Sequence, residues 1–139
     1  FLSNCLLDDA TGIKPFLIQL LNPIFEGRGT MFFMIFMIVF GALLTNVANN
    51  AVSGAVLMQI IAALSPSLGI DNPAPLAMTV TMAMFLAILT PAASPYAAVL
   101  HSNKERVSMG DIGKYGTIFM VMATILYIVV GLPLANILF

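Results

Sequence analysis

Polar residues interrupt this chain in few places, and they fall in the middle of apolar runs rather than at their ends. Met31–Leu44 (MFFMIFMIVFGALL) is wholly apolar, TNVANN follows at Thr45–Asn50, and Ala51–Ser65 (AVSGAVLMQIIAALS) is apolar again. As a helix the first arm rises about 21 Å, against a hydrocarbon core about 30 Å thick. The two arms together are too long for one crossing, and each is short for a crossing of its own. The economical reading is a re-entrant helical hairpin over 29–66, with both arms entering from one side and TNVANN as a tip near the midplane. Non-helical backbone is tolerated at that depth only when it is buried in protein or lines a wet cavity.

A second interruption follows. Ser67–Pro75 (SLGIDNPAP) reads as a loop, punctuated by Gly69, Asn72, Pro73 and Pro75. Leu76–Leu89 predicts a short apolar helix that stops at TPAASPY, Thr90–Tyr96. Pro91 and Pro95 remove two backbone donors and push the residues before them out of helical geometry. The apolar signal resumes at Ala97–Leu100, so 75–103 reads as a span broken in its middle. Short, Pro-interrupted apolar segments are the sequence pointer to a transporter's binding site.

The ends are simpler. Thr11–Glu26 predicts an amphipathic, interfacial helix over 11–26. Ile13, Phe16, Leu17, Leu20, Leu21 and Ile24 form its stripe, Lys14, Gln19 and Asn22 fall off it, and Pro15 sits in its first turn. It can lie in the interfacial plane or pack as an ordinary helix. Tyr115–Phe139 carries no charge and is long enough to cross with some tilt, within a last transmembrane helix over 112–139. Pro133 near its end is tolerable where neighbours or water satisfy the freed carbonyl. Lys104–Lys114 holds three of the five basic residues, which places that loop in the cytoplasm. Asp71, the mouth of the hairpin and the C-terminus then lie outside.

Composition agrees with a lipid solvent: 60% of residues are hydrophobic and 8% charged, where a soluble domain is about a quarter charged. Between Gly29 and Asn103 the single full charge is Asp71. Five basic residues make no nucleic-acid footprint. The chain begins with Phe1 and shows no signal peptide, and we read it as a fragment whose N-terminal portion is missing. Cys5, the single cysteine, reads as a spectator thiol. No paired carboxylate, no nucleophile with a base, no phosphate loop and no metal cluster supports an enzyme.

The chemistry that remains is that of helix breaks. Asn46, Asn49 and Asn50 share the tip with the Thr45 hydroxyl. Amide and freed backbone carbonyls are hard oxygen ligands for a small cation, while amide N–H groups and the following helix N-terminus suit an anion. The break opposite offers carbonyls before Pro95, and N–H groups with the Ser94 hydroxyl after it. Two facing discontinuities can thus hold an anion and a cation side by side without a charged side chain. The alternative is that the asparagines only tie helices together. His101, beside the basic loop, reads as a solvated interface residue rather than a proton relay.

LTNVANNAVSGAVLMQI (44–60), LTPAASPYAAVLHSN (89–103) and MGDIGKYG (109–116), followed by an apolar helix, resemble the divalent anion:sodium symporter family of dicarboxylate, citrate and sulfate carriers. The resemblance runs from about Gly12 to the end. It implies an all-α polytopic membrane fold, in which this chain is the C-terminal part of an inverted-repeat transporter. The family's Ser-Asn-Thr tip signature is matched by Asn49, Asn50 and Ala51, which keep only the central Asn. Its Ala-Thr-Pro break is matched by Ala93, Ser94 and Pro95. The neutral Asn46 stands where the family often has an acidic residue. By resemblance, Asn49, Asn50 and Ser94 hold the anionic substrate, while Thr45, Ala48, Asn50, Ala93 and Pro95 hold a sodium ion, several through backbone carbonyls. Sodium is the coupling ion and no other cofactor is implied. The resemblance further implies a homodimer, an N-terminal half that completes the site, elevator-like motion, and a multi-pass protein of the plasma or inner membrane. An exchanger, oxyanion permease or cation antiporter of the same superfamily is the alternative cargo, and a non-transporting membrane subunit the alternative class.

Overall fold

The computed structural model describes residues 13–25, 27–103, 105 and 107–139. Among the described residues every regular element is a helix: α1 (Ile13–Phe25), α2 (Thr30–Leu44), α3 (Asn50–Leu64), α4 (Ala74–Met84), α5 (Pro95–Ser102), α6 (Met109–Leu126) and α7 (Leu132–Leu138). A 3-10 turn, Pro66–Leu68, follows α3, and a π-helical segment, Tyr127–Gly131, joins α6 to α7.

Because α2 is apolar on every side, polarity does not choose its buried face; packing against α3 and α4 does. Phe33, Met37, Ile38, Gly41 and Ala42 recur at helical spacing and are buried, whereas Met31, Phe32, Ile35, Val39, Phe40 and Leu43 are exposed. A Cβ added at Gly41 would lie 3.2 Å from Val80 Cγ1 of α4 and 3.3 Å from Leu57 Cδ1 of α3. Gly41 is therefore where three helices approach closest, the role small residues play in helix packing without a hydrophobic drive. Leu57, Ile61, Leu64, Leu76, Val80 and Ala83 complete that core. Phe25 closes it at one end, with its ring edge-on to Phe33 at 4.9 Å.

On α1 the sequence stripe is only partly the buried face. Leu21 packs against the core and Phe25 is buried, but Leu20 and Ile24 are exposed. Phe25 stands off the stripe and is drawn in by the aromatic cluster of α2. Thr11, Gly12 and Glu26, the edges of the expected 11–26 helix, lie outside the described residues, as do Lys104 and Arg106 of the basic loop and Cys5.

The helix α2 folds back through α3. At their open ends the Thr30 hydroxyl donates to the Leu68 carbonyl at 3.0 Å, joining the start of one arm to the loop after the other. At the same end the Asn72 amide donates to the Phe139 carbonyl at 3.0 Å. The mouth of the α2–α3 pair, the 66–73 loop and the end of the chain therefore lie together.

Met109–Leu138 is continuous enough to form one 30-residue apolar helix, with an 18-residue stretch of mean hydropathy 2.4 of which only 22% is buried. It is the one described helix long and apolar enough to cross a membrane. Its inward stripe is Ile112, Gly116, Met120 and Thr124; Phe119, Met122 and Ile125 face away. The core helix of a soluble protein would be mostly buried; this one is not. The helix begins three residues before the expected 112, because Ser108 caps it. Ser108 Oγ accepts the Asp111 N–H at 3.1 Å and donates to the Asp111 carboxylate at 2.7 Å. The π turn at Tyr127–Gly131 widens the helix just before Pro133, whose ring would otherwise meet the carbonyl four residues back.

Candidate functional site

The first arm unwinds at Thr45. Val47 and Ala48 N–H both turn back to the Leu44 carbonyl, at 3.0 and 2.8 Å, which ends the helical ladder. Asn49 restarts it as the N-cap of α3: its Oδ1 accepts the Ala51 N–H at 2.9 Å. Asn49 is exposed, Asn50 half-buried and Thr45 fully buried.

Thr45 is the first meeting point of tip and break. Its hydroxyl faces the Asn50 Oδ1 and, at 2.9 Å, the Met84 carbonyl. The proton can be shared between the two acceptors, or Asn50 can turn its NH2 toward the hydroxyl. Among the described residues no donor reaches the carbonyl oxygens of Thr45 or Ala93, and that of Ala48 receives only the Ser53 hydroxyl at 3.4 Å.

Asn46 is the second meeting point. Its Nδ2 donates to the Ala42 carbonyl at 2.7 Å and the Leu86 carbonyl at 3.0 Å, and lies 3.4 Å from Met120 Sδ. Its Oδ1 accepts the N–H of Ile88 at 3.0 Å and of Leu89 at 2.8 Å. Its main-chain carbonyl takes the Thr90 hydroxyl at 2.6 Å. Each such bond contributes about 1 kcal/mol net, and a buried peptide group left without one costs about 1–3 kcal/mol.

These bonds revise the break. The sequence predicts helix to Leu89; α4 ends at Met84, and 85–94 is irregular. The Leu86 carbonyl and the Ile88 and Leu89 N–H groups bond to Asn46, and the Ile88 N–H also reaches the Leu86 carbonyl at 3.1 Å. Ser94 then caps α5, accepting the Ala97 N–H at 3.1 Å and donating to the Ala87 carbonyl at 2.7 Å. Ala93 is buried with Ala87 and Ala97, while Pro95 is exposed at the first position of α5. The structure thus brings Thr45 and Asn50 together against Met84. It ties Ser94 to the break itself, and leaves Asn49 on the surface beside them in sequence.

His101 is buried rather than solvated. Its Nε2 lies 3.2 Å from the Ile88 carbonyl and its Nδ1 3.2 Å from Met109 Sδ. A cavity of about 200 Å3 lies between α3 and α4, lined by Asn50, Ala51, Gly54, Thr81, Met84 and Phe85, and it is almost wholly apolar. Asn50 supplies its polar corner.

Two features fit membrane transport: an apolar crossing helix, and polar atoms concentrated where two helices lose their regularity. Residues 2–139 match the family described as the sodium:sulfate symporter transmembrane region. The chain belongs to the sodium:sulfate symporter family. It is therefore a membrane protein of the anion:sodium symporter kind, and the family is one of transporters rather than enzymes. No curated protein and no solved structure matches the chain significantly.

Within this symporter chain, Asn46 and His101 are the residues sequence reasoning undervalued. Asn46 could have been singled out as an Asn between two apolar arms, able to donate and accept at once. No sequence signal marks the Ile88 carbonyl as the partner of His101.

Proposed function

We propose that this chain forms the C-terminal half of a sodium-coupled symporter for a divalent anion: a dicarboxylate, a tricarboxylate or sulfate. The observation that carries the reading is the Thr45–Asn50–Met84 node, where the hydroxyl at the end of one arm faces the side-chain oxygen at the start of the next and the carbonyl that ends α4. Hard oxygens without a carboxylate suit a monovalent cation whose charge is balanced by the anion beside it. In this reading Thr45, Ala48, Asn50, Ala93 and Pro95 hold sodium, partly through the unpartnered carbonyls of Thr45 and Ala93. Asn49, Asn50 and Ser94 hold the anion, for which Ser94 must turn its proton from Ala87.

Several distances support a re-entrant hairpin at 29–66 and a broken span at 75–103. Asn46 contacts Met120, which stands about 17 Å along the crossing helix from Met109 and about 27 Å from Leu138 at about 1.5 Å per residue. The tip is thus level with the interior of a helix about 45 Å long. The mouth of the hairpin lies at the Phe139 end, which supports Asp71 and the C-terminus on one side and the Ser108 loop on the other. The domain reading places an interfacial helix at 11–26 and the last crossing at 112–139. A homodimer with a related N-terminal half, spanning the plasma or inner membrane several times, completes the site.

Coupling requires that sodium and anion bind more tightly together than apart. The test is uptake of radiolabelled succinate, citrate and sulfate into proteoliposomes containing the full-length transporter, with and without a sodium gradient. Sodium-dependent uptake of one of them is expected. Uptake indifferent to sodium in sealed vesicles would favour the exchanger or permease alternative.

A further inference from the structure

The 85–94 segment has no helix to satisfy its peptide groups; a few bond locally, as Ile88 N–H does to the Leu86 carbonyl and Ala93 N–H to the Thr90 carbonyl, and side chains from other elements take others. Ile88 is held on both faces of its backbone. Its N–H is shared between Asn46 Oδ1 at 3.0 Å and the Leu86 carbonyl at 3.1 Å, and its carbonyl lies 3.2 Å from His101 Nε2. Both side chains are more than nine-tenths buried, Asn46 at 4% and His101 at 6% exposure. Asn46 also binds the neighbouring Leu86 carbonyl and Leu89 N–H, at 3.0 and 2.8 Å. Gly116 of α6 stands behind this segment, where a Cβ would come within 2.8 Å of Leu89 Cδ2.

We propose that Asn46 and His101 are positioning residues that grip Ile88 from opposite sides and so set the spacing between the tip and the break. The proposal rests on the sodium-site reading above. Thr45 and Asn50 stand on the tip side of the grip; Ala93, Ser94 and Pro95 follow the gripped segment. Neither positioning residue need touch the ion. A cation held by oxygens from two segments binds best when those oxygens are already at coordinating distance, so a loosened grip weakens sodium binding before it disturbs the fold. The grip needs a short side chain that accepts two N–H groups and donates to a carbonyl, which Asn46 does, and an N–H donor reaching Ile88, which His101 supplies with its proton on Nε2.

The test is equilibrium binding of radiolabelled sodium to the purified full-length transporter, giving the half-saturating concentration and the number of sites per protein. Asn46→Leu, His101→Phe, His101→Gln and Asn50→Ala are compared with wild type. Asn46→Leu and His101→Phe are expected to raise the half-saturating concentration at least fivefold with the number of sites unchanged. His101→Gln keeps a side-chain N–H and is expected within twofold of wild type. Unchanged half-saturation in His101→Phe, with fewer sites or none lost, would overturn the proposal, and this variant decides alone if Asn46→Leu does not insert. Asn50→Ala separates the two levels. Loss of binding there with His101→Phe unaffected rejects the grip and keeps the site. Wild-type binding in Asn50→Ala rejects the site and the grip with it.

Discussion

Ser94 Oγ donates to the Ala87 carbonyl at 2.7 Å while accepting the Ala97 N–H at 3.1 Å, so one hydroxyl closes the irregular segment and opens the next helix. Ser94→Ala removes both bonds. The expected loss of stability is about 1–2 kcal/mol, the usual cost of an N-cap together with a stranded buried carbonyl, read as a lower melting temperature in detergent. In uptake the same variant is expected to raise the anion KM more than the sodium KM. The opposite order would argue against a side-chain role for Ser94 in holding the anion.

Gly41 marks the closest approach of α2 to α3 and α4, with added-Cβ distances of 3.3 Å to Leu57 and 3.2 Å to Val80. Gly41→Leu must force those helices apart. Overpacking of this kind costs about 1–3 kcal/mol, and it should lower the yield of monodisperse protein. Gly113, with open space around its Cα, is the contrast: Gly113→Ala is expected to be neutral or slightly stabilising. Equal effects at the two glycines would show that the three-helix contact is not where the packing is tight.

The bonds from Thr30 to Leu68 and from Asn72 to Phe139 place three chain segments at one end of the molecule. Single cysteines at Ser67 and at Gly110, each in a Cys5→Ser background, should therefore label from opposite sides. A membrane-impermeant maleimide added outside intact cells is expected to modify the first and spare the second. Labelling of both from the same side would remove the one-crossing assignment of Met109–Leu138.

The apolar pattern makes both interruptions visible in the sequence. Residues 45–49, within TNVANN, separate two helices, and α5 opens at Pro95, two residues before the apolar signal resumes at Ala97. What the pattern missed depends on partners far along the chain. Leu86, Ile88 and Leu89 are as apolar as the helix before them, yet they leave it where Asn46, some forty residues earlier, takes the Leu86 carbonyl and the Ile88 and Leu89 N–H groups. His101 looks solvated beside a basic loop, but the early end of α4 leaves the Ile88 carbonyl beside its ring. On α1 the stripe groups Leu20 and Ile24 with Leu21, yet both are exposed while Phe25, off the stripe, is buried against the aromatic cluster of α2. Only the start of α6 was legible and passed over: Ser108 followed three residues later by Asp111 is a capping pair.

In the proposed site both ligands converge on Asn50, whose side chain stands against Thr45 in the first turn of α3. The most direct measurement is sodium-dependent anion uptake by the Asn50→Ala transporter in proteoliposomes, normalised to the amount inserted. Insertion at the wild-type level with coupled uptake reduced at least a hundredfold is the expected result, the loss of about 2.7 kcal/mol or more at a factor of ten per 1.36 kcal/mol. Wild-type uptake with an unchanged sodium KM would contradict a site built on the tip.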